Sequence, residues 1–448
     1  MNATESKKII TNLTQSLTYQ SRLHDLIPGG CHTYAKGDDQ FPEFYPPVIS
    51  HGKGCHVWDV DGNQYIEYGM GLRAVSLGHA FEPVVQAAYK QMQAGSNFSR
   101  VAKIEMEAAD SFLALVPSAD MVKFAKNGSD ATTAALKLAR AYTGRDLVAI
   151  CADHPFFSVD DWFIGNTAIN RGITADTQAK TLTFQYNDLA SIAKLFDQYP
   201  GQIACLIMEP EKDKSPEDDF LHKAKALCHQ RGALFVLDEM ITGFRWDIGG
   251  AQTRYNIVPD LSTFGKAMGN GFAVSALAGK REIMALGGIQ HQEERVFLLS
   301  TTHGAENHSL AAALAVIETY KKEDVINYLA YQGNRLKVGL EHSISEHQLD
   351  GYVGIHGHPA CLIFSTCDQE KKRSQIFRTL FMQECIRRGI IAPNIVISFS
   401  HTDEIVDQTI EIMHDCMGVY KKALLEGAEK YLEGRPVQPV YRKYNHQK

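Results

Sequence analysis

From about residue 84 to residue 304, short and mostly apolar runs alternate with stretches in which apolar residues return every third or fourth position. The runs at 121–125, 147–150, 204–208 and 234–237 are too short for helices and carry the Val, Leu and Ile of strands buried on both faces. Helical periodicity lies between them, at 219–231 and again after Gly128, where Ala131, Ala134, Ala135, Leu138 and Tyr142 recur at helical spacing. Strand and helix in alternation predict an α/β architecture, a mostly parallel sheet covered by helices on both faces.

The flanks read differently. The first 75 residues are rich in Gly, Pro and aromatic residues, with turn signals at Pro28-Gly29-Gly30 and Pro46-Pro47. Residues 57–66 read as a hairpin around Asp61-Gly62. A helix is expected from Ser309 through Tyr320 and beyond, and a capped one over 402–418, with Thr402 as N-cap and Gly418 near the stop. These changes divide the chain at 1–75, 76–308 and 309–448. No repeat, low-complexity segment or Ser/Gly linker separates the parts, so packed rather than tethered domains are expected.

Composition narrows the class of function. A formal net charge of −7 over 448 residues argues against nucleic acid as a partner held through phosphate contacts. Nine cysteines run from Cys31 to Cys416 without a C-x-x-C pair, which fits reduced, buried thiols of the cytoplasm. The segment 1–14 is polar and lacks a signal-peptide apolar core, and no apolar run nears the ~20 residues of a membrane span. No metal and no membrane partner is expected.

The chemistry concentrates in two places. The apolar run at 234–237 stops abruptly at Asp238-Glu239, and Lys266 stands in the Gly-punctuated turn Gly265-Lys266-Ala267-Met268-Gly269. A pyridoxal phosphate (PLP) enzyme needs such a pair, a lysine for the Schiff base and an acid facing the pyridinium nitrogen. Each residue also has a plainer reading. Asp238 suits the Mg²⁺-binding strand of a P-loop ATPase, although no G-x-x-x-x-G-K-[ST] loop occurs to complete that site. Lys266 suits a surface lysine in a glycine loop. Gly128-Ser129 opens a predicted helix, so its free backbone N–H groups suit a phosphate, or the segment is an ordinary N-cap. Glu209-Pro210 ends another strand and either orients a cofactor or caps a loop. Phe156-Phe157 either covers a cofactor ring or packs in the core, and His79 reads as a structural histidine.

Together these pieces resemble the class III (fold type I) PLP aminotransferases, and within them the glutamate-1-semialdehyde aminomutase-like group. The resemblance runs from about Leu26 to the C-terminus. It is carried by Ile27-Pro28-Gly29-Gly30, Val57-Trp58-Asp59-Val60-Asp61-Gly62-Asn63, Leu77-Gly78-His79, Asn127-Gly128-Ser129-Asp130-Ala131-Thr132, Asp238-Glu239-Met240-Ile241-Thr242-Gly243-Phe244-Arg245 and Gly265-Lys266. It implies a large PLP-binding domain and a smaller α+β domain built from both chain ends. It implies Lys266 as the Schiff-base lysine and Asp238 as partner of the ring nitrogen. Met240 would pack on the ring and Phe156 would stack on the opposite face. Gly128 and Ser129 would hold the phosphate, with Glu209 beside the cofactor. In Ser300-Thr301-Thr302-His303-Gly304, Thr302, or Thr301 if the register slips, would reach the phosphate of the neighbouring subunit, which implies a homodimer with shared active sites.

Departures from the family pattern fall where substrate is met. Thr33-Tyr34-Ala35-Lys36 replaces Ser-Pro-Val-Arg, Phe156-Phe157-Ser158 replaces Tyr-His-Gly, and Gly71-Leu72-Arg73-Ala74-Val75 replaces a Trp-Gly-Pro stretch. Glu209-Pro210 is followed by Glu211-Lys212-Asp213 instead of small residues and Asn. Lys cannot reproduce the bidentate grip of Arg on a carboxylate. Lys36 or Arg73 is therefore expected to meet a substrate carboxylate or hydroxyl. The altered pattern looks more like relatives that aminate sugars for cell-surface polysaccharides, such as the 8-amino-3,8-dideoxy-octulosonate transaminases. That implies transfer of an amino group from an amino acid donor, glutamate being expected, to an aldehyde or ketone such as an oxidised sugar acid. The alternatives are a glutamate-1-semialdehyde 2,1-aminomutase and an inactive PLP-fold binding protein.

Overall fold

A computed structural model of the chain describes residues 9–153 and 158–445. It divides into two units, residues 1–81 with 327–440 and residues 82–326 with 441–448. The larger unit is built on a seven-stranded sheet: β1 (Met121–Ala125), β2 (Leu147–Cys151), β3 (Thr181–Phe184), β4 (Ile203–Met208), β5 (Leu234–Asp238), β6 (Leu261–Phe264) and β7 (Ser275–Gly279). Its strand order is β1-β7-β6-β5-β4-β2-β3, parallel except for β7, which runs antiparallel to both neighbours. Every residue of β4, β5, β6 and β7 is buried, as the apolar runs of β4 and β5 required.

Both faces of this sheet are covered. On one lies α1 (Gly128–Thr143), whose Ala131, Ala134, Ala135 and Leu138 are buried against Ile150, Ile207 and Val236. Asn127 caps α1 by accepting from Asp130 N, and Gly144 ends it in a left-handed conformation at φ 66°. On the other face, the helices Leu189–Gln198 and Phe220–Gln230 bury Ile192, Phe196 and Leu221 against Leu206 and Phe235. Each such apolar side chain stabilises the fold by about 1.5–3 kcal/mol.

The smaller unit carries a meander of Ile49–Lys53, His56–Asp59 and Gln64–Glu67, the last pairing in parallel with Ile390–Ile391. It also carries a three-stranded sheet of Val353–His356, Cys361–Thr366 and Ile395–Val396. The unit is thus α+β and draws on both chain ends. Its limits fall at 81/82 and 326/327, whereas sequence composition broke the chain at 75/76 and 308/309. The difference lies in α2 (Asn307–Lys322), which packs on the helices Glu82–Ala94 and Lys103–Leu113 and so stays with the large unit.

Two local expectations are corrected. The C-terminal helix begins as predicted, with Thr402 Oγ accepting from Ile405 N, but passes through Gly418 and ends at Glu426 before Gly427. A mid-helix glycine costs about 1 kcal/mol, and buried Cys416, Met417 and Tyr420 around it outweigh that cost. The polar N-terminal region contains an unforeseen helix, Thr14–Leu26, whose weak amphipathicity left no periodic signal.

Candidate active site

Three neighbouring strands, β4, β5 and β6, end on one edge of the large sheet, and the predicted chemistry lies at their last residues and in the turns just beyond. Asp238 is the last residue of β5 and only 2% exposed. Its Oδ1 accepts from Met240 N at 3.0 Å and from Thr263 Oγ on β6 at 3.2 Å. Oδ2 has no hydrogen bond among the described residues. Burial, reinforced by the Glu209 carboxylate, pushes Asp238 up to about 7, and the Lys266 ammonium pulls the other way. Asp238 and Lys266 therefore sense each other across the sheet edge.

Lys266 follows β6 in a single tight turn, Lys266–Gly269, and takes φ 46°. A non-glycine residue in that region costs roughly 1–2 kcal/mol, a strain found where function dictates conformation. Glycine neighbours make the approach possible. A Cβ on Gly265 would lie 2.7 Å from Met240 Sδ, and one on Gly128 would lie 3.0 Å from the same atom. Met240 thus fills the space between the start of α1 and the lysine turn, and a side chain at either glycine would require it to shift.

The start of α1 is positioned from below. Ser275 Oγ on β7 donates to Asn127 O at 2.6 Å, which anchors the loop carrying Gly128 and Ser129. Ser129 Oγ accepts from Val159 N at 3.0 Å and keeps its own proton for another acceptor. With Asn127 occupied by Asp130 N, the N–H groups of Gly128 and Ser129 face outward from a 16-residue helix, a seat for an anion.

Glu209 stands one residue beyond β4, beside Asp238, with Lys212 Nζ 3.5 Å from its Oε1. Sequence reasoning noticed Glu211 and Lys212 as departures but assigned them no role. Glu211 is a buried hub that accepts from Trp246 Nε1 at 2.7 Å, Ser215 Oγ at 3.0 Å and the Tyr255 hydroxyl. Glu239 is equally structural. It accepts from Ala251 N and Gln252 N at 2.8 Å each and from the Thr242 hydroxyl. The strand β5 ends at Asp238, so Glu239 already lies in the turn beyond it.

Phe156 falls outside the described residues. Thr301 and Thr302 are exposed, in a loop held by Asn97 Nδ2 donating to Thr302 O at 2.8 Å. Lys36 and Arg73 belong to the smaller unit. Lys36 is exposed at the end of the turn Tyr34–Lys36. Arg73 is half-buried and directs Nε to Cys361 Sγ at 3.3 Å. It closes a run of four left-handed residues, Met70, Gly71, Leu72 and Arg73, with φ of 43°, 58°, 59° and 70°. Such a turn is costly for L-residues and marks a place where side-chain direction is constrained. His79 pairs with Glu67 Oε2 at 3.1 Å, the structural role expected of it. Among the described residues no group of three or more His, Cys, Asp and Glu side chains is arranged to hold a metal ion. No helix among the described residues is long and apolar enough to cross a membrane.

Comparison with known proteins gives this geometry a context. The profile of the family described as aminotransferase class-III matches residues 34–417. The glutamate-1-semialdehyde 2,1-aminomutase of Francisella philomiragia is 30% identical over 412 residues, covering 86% of this chain and 93% of that protein. Among solved structures, the PLP internal aldimine form of the FumI protein of Sphingopyxis sp. MTA144 aligns with a TM-score of 0.83 at 26% identity, covering 92% of this chain and 98% of that one. A β-phenylalanine aminotransferase of Variovorax paradoxus shares the fold with a TM-score of 0.78 at 21% identity, covering 91% and 94% of the two chains.

Proposed function

This chain belongs to the class III aminotransferase family and is a PLP-dependent transaminase, and from that premise we propose that it moves the amino group of L-glutamate to the carbonyl of an oxidised sugar acid. The residues at the sheet edge fit PLP. Asp238 offers an open carboxylate oxygen to a ring nitrogen, Lys266 offers an amine to the aldehyde, and Gly128 and Ser129 offer N–H and O–H donors to a phosphate. Met240 presents an apolar surface to a ring face, and Glu209 borders the same space.

When bound, PLP withdraws electrons from the substrate carbon that loses its proton. The protein supplies the rest. Asp238 holds a proton on the ring nitrogen by placing an anion against it. Lys266 Nζ takes the proton from the donor's α-carbon and delivers it onward, then runs the transfer in reverse for the acceptor. Burial of Asp238 and Met240 excludes water from that edge. Glutamate leaves as 2-oxoglutarate, and the acceptor carbonyl leaves as an amine.

The observation that carries this reading is the meeting of Asp238 and Lys266 around Met240. An anionic acceptor is favoured by two cationic side chains in the segments that depart from the family pattern, Lys36 and Arg73, the second fixed in a left-handed turn. Thr302 on its exposed loop suits contact with a second copy, and a homodimer with shared active sites follows from that reading. Nine free cysteines suit a cytoplasmic enzyme. A second reading, an intramolecular glutamate-1-semialdehyde 2,1-aminomutase, is favoured by the likeness to the Francisella enzyme.

One experiment separates them. The amine-loaded holoenzyme, prepared with glutamate and freed of it, is offered a panel of oxidised sugar acids and glutamate 1-semialdehyde while the visible cofactor band is followed. Return of the band with a sugar acid, with stoichiometric 2-oxoglutarate from the first half-reaction, is the expected result. Turnover of glutamate 1-semialdehyde without any external donor would overturn it. Lys266→Ala is expected to show neither turnover nor the visible band.

A further inference from the structure

The C-terminal ends of β4 and β5 set two carboxylates side by side. The strands are parallel, with Met208 paired to Leu237, and Glu209 and Asp238 are the next residues on each. Adjacent residues of parallel strands direct their side chains to the same face. Both side chains are buried, at 4% and 2% exposure. Two like charges in such a place do not both ionise without a compensating cation. One cation, Lys266, follows β6 and is committed to chemistry. A second is Lys212, three residues after Glu209, with Nζ 3.5 Å from Glu209 Oε1 and its side chain 18% exposed.

Resting on the transaminase reading above, we propose that Lys212 is a positioning residue. It is the counter-ion of Glu209 and leaves Asp238 free to serve the cofactor ring with a full negative charge. Lys212 stands where the family pattern has small residues, so this device belongs to this chain and to sequences that share the lysine. Asp238 and Cys151 also face Glu209. Asp238 repels it. Cys151 at the end of β2 is neutral, because burial pushes its thiol up to about 12.

The test is a charge-compensation cycle read from the pH midpoint of the cofactor's visible band in the holoenzyme. Lys212→Met leaves an uncompensated anion near the cofactor and is expected to raise the midpoint by about one unit or more. Glu209→Gln removes the anion and is expected to lower it. The double variant Lys212→Met/Glu209→Gln is expected to return close to the wild-type midpoint, and Lys212→Arg to remain there. Melting temperatures of the cofactor-free proteins show that each variant is folded. A merely packing role for Lys212 would give no opposite shifts and no restoration. An unmoved midpoint in Lys212→Met, or a double variant that fails to return, overturns the proposal while the wild-type band remains normal. A wild-type protein that shows no band on addition of PLP overturns the transaminase reading itself.

Discussion

At the scale of single residues, Asp238 carries the sharpest consequence. In the protein without cofactor, burial first and Glu209 second lift its carboxyl from 3.8 to about 7. A folded-state pKa above the unfolded one means that the group favours folding fully below pH ~4 and loses that contribution as pH rises through about 7. Cofactor-free wild type should therefore lose up to about 4 kcal/mol relative to Asp238→Asn between pH 4 and 8. Urea midpoints measured on both proteins across that range check it, and parallel curves would count against it. In the holoenzyme the ring cation removes this loss, and Asp238→Asn should instead lower kcat by roughly 10²-fold or more. The sequence pattern marked this residue because an apolar run that stops at a carboxylate places that carboxylate at a strand end. It was silent on Glu211 and Glu239, whose partners Trp246, Tyr255, Ala251 and Gln252 are brought to them only by folding.

At the scale of elements, the site is a junction of one helix start and three strand ends, with Met240 between the helix start and the lysine turn. Gly265→Ala forces its new methyl to within 2.7 Å of Met240 Sδ, so Met240 or the lysine turn must move. A displacement of that kind costs about 1–3 kcal/mol in a packed interior. The expected outcome is at least a tenfold rise in the PLP dissociation constant, read by loss of the visible band on dilution; unchanged affinity would show that the turn yields freely. The strands β1, β2, β4 and β5 followed from hydrophobic runs, whereas β3, β6 and β7 did not. The Ser-Ala-Leu-Ala-Gly sequence of β7 is small and unremarkable, and it is a strand because β1 and β6 hold it from both sides. The C-terminal helix shows the reverse. A glycine that reads as a stop is carried through because buried neighbours on both sides outweigh its flexibility.

At the scale of the whole molecule, the proposed shared-site homodimer gives a prediction that no single residue gives. In a mixture of Lys266→Ala and Thr302→Ala subunits, each heterodimer would contain one site with both defects and one with neither. Each variant alone should be weak or inactive, and reassociated mixtures should recover about a quarter of wild-type activity, measured after subunit exchange and checked by sedimentation. Failure to recover any activity, with dimers present, would confine each site to one chain.

The strands β1, β2, β4 and β5 with helices between them, the acid at a strand end, the lysine in its glycine turn and the glycine at the start of α1 were legible in the chain itself. Each is a local matter: burial on both faces demands an unbroken apolar run, and close approach of backbone demands glycine. What only the tertiary structure decided is non-local. It assigned α2 to the large unit by its packing on helices some 200 residues earlier and turned Met70–Arg73 into a left-handed run. It also set Glu209 beside Asp238 with Lys212 at hand. Spacing along a chain does not encode which strand ends become neighbours, and the charge of a buried site depends on its neighbours.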